Sequence, residues 1–174
     1  MKKLLTVLTI AIAAAACAFV LAACGPTQKM QTVDMGDYLF EAPEEWGAIQ
    51  QEYDDGTSFW MGGEEASPLL TLDRSALDIP EGAVAADVMA GHVAGWFHEG
   101  GDATYADVED FTVGDLPARA GVVSYGDGTA MYQILFSPDA LDFVVMNVTI
   151  ESPEDADGIA LGKAIRDSIA LPQV

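Results

Sequence analysis

The period of the apolar positions changes several times along this chain, and each change marks a different kind of element. Residues 4–21 are an unbroken apolar and small run relieved only by Thr6 and Thr9, with Lys2 and Lys3 ahead of it and no acidic residue in the first 23 positions. Beyond it the apolar positions recur in twos. Tyr38 and Phe40 alternate within 37–42, and Pro43 ends that strand. Residues 46–53 and 57–61 read as two strands joined at Asp55-Gly56, a hairpin signal, and 68–74 as a further strand. From 84 to 97 the spacing lengthens, with Ala86, Met89, Val93, Trp96 and Phe97 at helical intervals, until Gly100-Gly101 stops it. Alternation returns in 105–113, 118–125, 129–136 and 141–150, separated by Gly114-Asp115, Asp127-Gly128 and Ser137-Pro138-Asp139. Ser152 as cap, Pro153 at the first helical position and Glu154 and Asp155 at the positive end of the dipole predict a last helix with Leu161, Ile165, Ser168 and Ile169 on its buried stripe. Tight joints between consecutive strands require antiparallel pairing, because a parallel pair needs a crossover of a dozen or more residues. The expected fold class is therefore α+β: an antiparallel sheet of about six to eight strands with two helices packed on one face, preceded by a signal-peptide helix.

The leading run ends in Leu21-Ala22-Ala23-Cys24-Gly25. Small residues before the cut suit a secretory signal, and the Leu-Ala-Ala-Cys string resembles the lipobox of bacterial lipoproteins. That resemblance implies diacylglyceryl transfer to the Cys24 thiol, cleavage between Ala23 and Cys24, and a cell-membrane anchor of fatty acid, such as palmitate, facing the extracytoplasmic side. Two acyl chains suffice, since each buried CH₂ contributes about 0.8 kcal/mol. The expected organisation is a signal peptide at 1–23, a lipidated polar tether at 24–36 and one domain at 37–174.

Cysteine usage limits the chemistry: Cys17 falls in the leader and Cys24 takes the lipid, so the folded part has neither thiol nor disulfide. The net charge is −21, and without the leader lysines five basic residues face 28 acidic ones. Lys29, Arg74, Arg119, Lys163 and Arg166 are scattered singly, which argues against nucleic acid as a partner. So many carboxylates make a solvated, self-repelling surface.

Tyr38-Leu39-Phe40-Glu41-Ala42-Pro43-Glu44-Glu45-Trp46, Gly114-Asp115-Leu116-Pro117-Ala118-Arg119 and the segment from Ser152 to Ile169 resemble, in turn, the opening strand, mid-chain hairpin and closing helix of the PsbP-like group, which includes the PsbP protein of photosystem II and many bacterial lipoproteins. The resemblance implies a scaffolding or binding protein and carries over no catalytic residue. The basic patches with which photosystem members dock are missing from this chain.

Searching for chemistry yields few candidates. His92, His98, Glu99 and Asp102 are the best metal-ligand types, but His92 and His98 are six apart on one helix and so point to different sides. Asp54-Asp55, Glu64-Glu65 and the Glu154 group lack the alternating ligand loop that calcium needs. No nucleophile elbow, zincin motif or phosphate loop is present. No catalytic residue, metal or cofactor is assigned. Phe59 and Trp60 must face opposite sides of a strand, so one of them leaves the helix-covered face, and with Met61 it makes a candidate partner-contact patch. The expectation is a non-enzymatic accessory module for an envelope protein partner. A carrier of an apolar ligand between helices and sheet is the alternative, and a hydrolase the third reading.

Overall fold

In the computed structural model the described residues are 28–53, 56–64, 67–97 and 102–172. The expected signal peptide, with Ala23, and the expected lipidation residue Cys24 lie outside them. Among the described residues nine strands and two helices follow in the order β1 (Met30–Asp34), β2 (Leu39–Pro43), β3 (Ala48–Tyr53), β4 (Gly56–Glu64), β5 (Ser67–Ala76), α1 (Ala85–Gly95), β6 (Ala103–Val113), β7 (Leu116–Tyr125), β8 (Ala130–Phe136), β9 (Asp142–Ile150) and α2 (Ala156–Ser168). Seven strands form one sheet in the order β3-β4-β5-β9-β8-β7-β6, antiparallel throughout, and β1 and β2 make a separate ribbon. Two meanders, β3 to β5 and β6 to β9, thus meet where β9 lies beside β5.

Alternation decides which residues face which way. Tyr132, Ile134 and Phe136 of β8, Val144, Met146 and Val148 of β9, and Leu70 and Leu72 of β5 share one core. The β1–β2 ribbon covers this packed face with Tyr38 and Phe40, and α2 covers it with Ile165. The Tyr38 ring meets Phe136 edge-on at 5.0 Å. On the other side, Leu135 joins Met89 and Val93 of α1 in a smaller cluster, with Phe143 and Val145 against it.

The two helices therefore lie on opposite faces, which corrects the expectation that they share one. The ribbon and α2 already fill the packed face, and the odd-numbered apolar residues Leu135, Phe143 and Val145 need a cover of their own. The connection from β5 in the middle of the sheet to β6 at its edge supplies that cover as α1.

Two boundaries also move. Met30–Asp34, assigned to the tether, is a strand whose Met30 and Val33 pack against the core and whose Gln31 Nε2 donates to the carbonyls of Pro43 and Trp46. Its pairing depends on β2, which no local pattern in a mostly polar stretch discloses. The last helix starts at Ala156: Asp155, not Ser152, is the cap, accepting from the Gly158 amide at 3.0 Å.

The turns follow their residues. Gly114 (φ 58°) closes the two-residue β6–β7 joint, and Gly128 (φ 92°) sits in the β7–β8 turn, where Asp127 Oδ1 accepts from the Thr129 amide. β6 is an edge strand with a register shift between Ala106 and Glu109 and a left-handed residue, Asp107 (φ 51°). Such a bulge carrying charge disfavours edge-to-edge pairing.

Candidate functional site on the open face of the sheet

The face opposite the ribbon and α2 is covered at one end by α1, while Asp73, Ser75 and Thr149 are exposed elsewhere on it. Across its middle, at one level of the register, lie Trp60, Thr71, Asn147 and Gln133 from four neighbouring strands. They form a directed chain of hydrogen bonds. Trp96 Nε1, just past α1, donates to Gln133 Oε1 at 2.9 Å; Gln133 Nε2 donates to Asn147 Oδ1 at 2.8 Å; Asn147 Nδ2 donates to Thr71 Oγ1 at 3.3 Å. An uncharged amide row in so acidic a protein ties α1 to the sheet centre through side chains alone.

At the helix end of this row, His92 is half-buried, its ring 4.4 Å from that of Phe143 and 5.2 Å from that of Trp96. Its Nε2 is buried and has no hydrogen-bond partner among the described residues. Burial holds the imidazole below its ordinary value, because the charged form is the one that loses water. Arg119 of β7 secures the same end of α1, donating from Nη1 to the carbonyls of Ala94 and Trp96 while its Nε pairs with Asp110 at 2.6 Å. A guanidinium at a helix C-terminus satisfies carbonyls that have no partner within the helix.

The residues singled out from the sequence separate. Phe59 and Met61 belong to the core of the packed face, so a surface patch of the three is not what the structure holds. Trp60 does leave that face, as alternation requires, yet it is only 8 % exposed and its indole Nε1 has no partner among the described residues. His98 and Glu99 lie outside the described residues, and Asp102 is an exposed turn residue ahead of β6. No group of three or more metal-ligand side chains assembles among the described residues, and no described helix is long and apolar enough to cross a membrane.

Gln133 and Asn147 were the overlooked residues. Each is a single polar residue inside an apolar strand, which is a signal, but their partnership needs the β8–β9 register.

No protein-family model matches the chain, and no curated protein matches it in sequence. Among solved structures, the chain is similar to cyanobacterial PsbP (CyanoP) from Synechocystis sp. PCC 6803, with a TM-score of 0.51 over 88 % of this chain and 99 % of that one, at 13 % identity. The fold is PsbP-like. At that identity the likeness extends to the path of the backbone alone.

Proposed function

We propose that this PsbP-like domain is a non-enzymatic accessory module, held at the extracytoplasmic side of a cell membrane by lipid on Cys24 and acting on an envelope protein partner. The fold likeness carries the reading, since it spans almost the whole of a PsbP chain. The described residues support it further: His92, the one histidine among them, has rings beside it rather than a serine, carboxylate or second ligand. The carrier alternative is disfavoured by the tight seat of α2, where Gly162 lies directly against Tyr132. The lipobox-like string supports the anchor.

The test is purification of the native protein from detergent-extracted membranes, after in-cell cross-linking, beside a Cys24→Ser variant. A single protein enriched in stoichiometric amount, with fatty-acid labelling lost in the variant, supports both parts. A co-purified apolar small molecule without a protein partner overturns the accessory reading in favour of a carrier. Labelling and membrane fractionation unchanged in Cys24→Ser overturn the anchor.

A further inference from the structure

We propose that α1 is an acid-released cover: protonation of His92, packed against the Trp96 and Phe143 rings with no acceptor at its buried Nε2 among the described residues, undocks the helix and bares Leu135, Phe143 and Val145 on the open face. This inference is independent of the accessory reading.

The helix is lightly held. Only Met89 and Val93 of α1 are buried, and the cluster they join is separate from the main core. Its Ncap residue, Val84, offers no side-chain cap, so the first turn has little local support. The contacts that fix it are concentrated at its last turn, in the His92 and Trp96 rings, the Trp96–Gln133 hydrogen bond and the Arg119 contacts to the terminal carbonyls.

Neutral His92 fits this place as a flat, weakly polar ring. The imidazolium does not, because its second N–H and its charge need an acceptor or water, and Nε2 is buried with no acceptor among the described residues. Among the described residues no carboxylate bonds to it, and the carboxylate of β5 on this face, Asp73 beside Val145, is exposed. On α1 the other titratable group is Asp87, exposed in the first turn and more than a helical turn away. The segment leading into α1 carries Asp78 and Glu81, both exposed. β7 offers Arg119, a like charge already paired with Asp110, and the exposed Tyr125, while the one titratable residue of β8, Tyr132, lies in the main core on the other face. On β9 the charged residue is Asp142, which is bound to Arg74. Tyr105 of β6 faces the Phe97 ring.

The sign follows from linkage. His92 has a lower pKa docked than free, so docking is fully supported above the ordinary histidine value of about 6.5 and weakens as the pH falls towards and through the docked value. Carboxylates in their ordinary range stay ionised over most of that window, which isolates the imidazole.

The experiment uses the chain with His98→Gln, so that His92 is its sole histidine. Its ring protons are titrated by NMR, and amide hydrogen exchange, normalised to intrinsic rates, is followed from pH 7.5 to 5.5. The expected results are a His92 pKa below 6.5 and α1 protection factors that fall several-fold at the acid end, while β8 amides keep theirs. In His92→Leu, α1 protection should no longer depend on pH. A His92 pKa at or above 6.5, α1 protection equal at both ends, a loss shared equally by β8, or a transition that persists in His92→Leu each overturns the proposal.

Discussion

Gly162 of α2 lies against Tyr132 of β8 so closely that a Cβ at position 162 would stand 2.5 Å from Tyr132 Cδ1 and 2.7 Å from its Cβ. The obstructing atoms are the base of a fully buried side chain, not a flexible tip, so they cannot swing away. Gly162→Ala gains about 1 kcal/mol of helix propensity but forces the helix off the sheet at about 1–3 kcal/mol. A net loss of stability in urea unfolding is expected, larger for Gly162→Val. An alanine variant as stable as the parent would show that α2 has room to move.

Tyr132 is also the buried end of a charged network. Arg166 Nη1 donates to its hydroxyl at 3.0 Å and to Glu109 Oε2 at 2.6 Å, and Lys163 reaches Glu109 Oε1 at 2.8 Å. Burial pushes the Tyr132 hydroxyl up to about 12, and burial raises Tyr38 further. A raised tyrosine value supports folding below the ordinary tyrosine range near 10 and ceases to do so as the pH rises through the folded value. Phenolate absorbance should therefore show Tyr38 and Tyr132 ionising only at strongly alkaline pH or on unfolding, and one of these late ionisations missing in Tyr132→Phe.

Acid acts on the same network from the other side. Hydrogen bonds from Lys163 and Arg166 hold Glu109 below its ordinary value of 4.5, and one from Arg119 lowers Asp110. These carboxylates support folding above their ordinary range, and that support is lost as the pH falls through their folded values. Glu109 is well exposed, so the effect is modest. Glu109→Gln should reduce the fall in melting temperature between pH 5 and pH 3; an unchanged slope would assign that fall to other carboxylates.

Arg74 of β5 joins three parts of the fold, pairing through Nη1 with Asp37 beside the ribbon and through Nη2 with Asp142 of β9, both at 2.8 Å. Asp37 Oδ1 is buried without a partner among the described residues, so this pairing is what its carboxylate has. Arg74→Met should raise hydrogen exchange in Leu39–Pro43 and Met30–Asp34 while leaving β8 protected. Equal exchange in parent and variant would show that the apolar contacts of Tyr38 and Phe40 hold the ribbon alone.

Most strands were legible because each is short, alternates and is bounded by turn residues that act locally, as at Asp127-Gly128 and Gly114-Asp115. α1 was legible from the spacing of Met89, Val93 and Trp96, though it ends at Gly95, short of the expected Phe97. The open-face row was not legible. Gln133 and Asn147 are fourteen residues apart, and Thr71 is seventy-six before Asn147, so nothing but strand register brings them into reach.

By itself the sequence determined what depends on near neighbours: the apolar run at 4–21 and the Leu-Ala-Ala-Cys string that follows, the acidic balance, the α+β class, and the alternation that sends Trp60 away from Phe59 and Met61. Only the tertiary structure decided which face each helix covers, that Met30–Asp34 joins the fold, and that His92 packs against two rings with no acceptor at Nε2 among the described residues. The physical reason is that propensity and periodicity act over a few residues of chain. Coverage of a face and the partner of a buried polar atom depend on which distant segments pack there and leave no space for another.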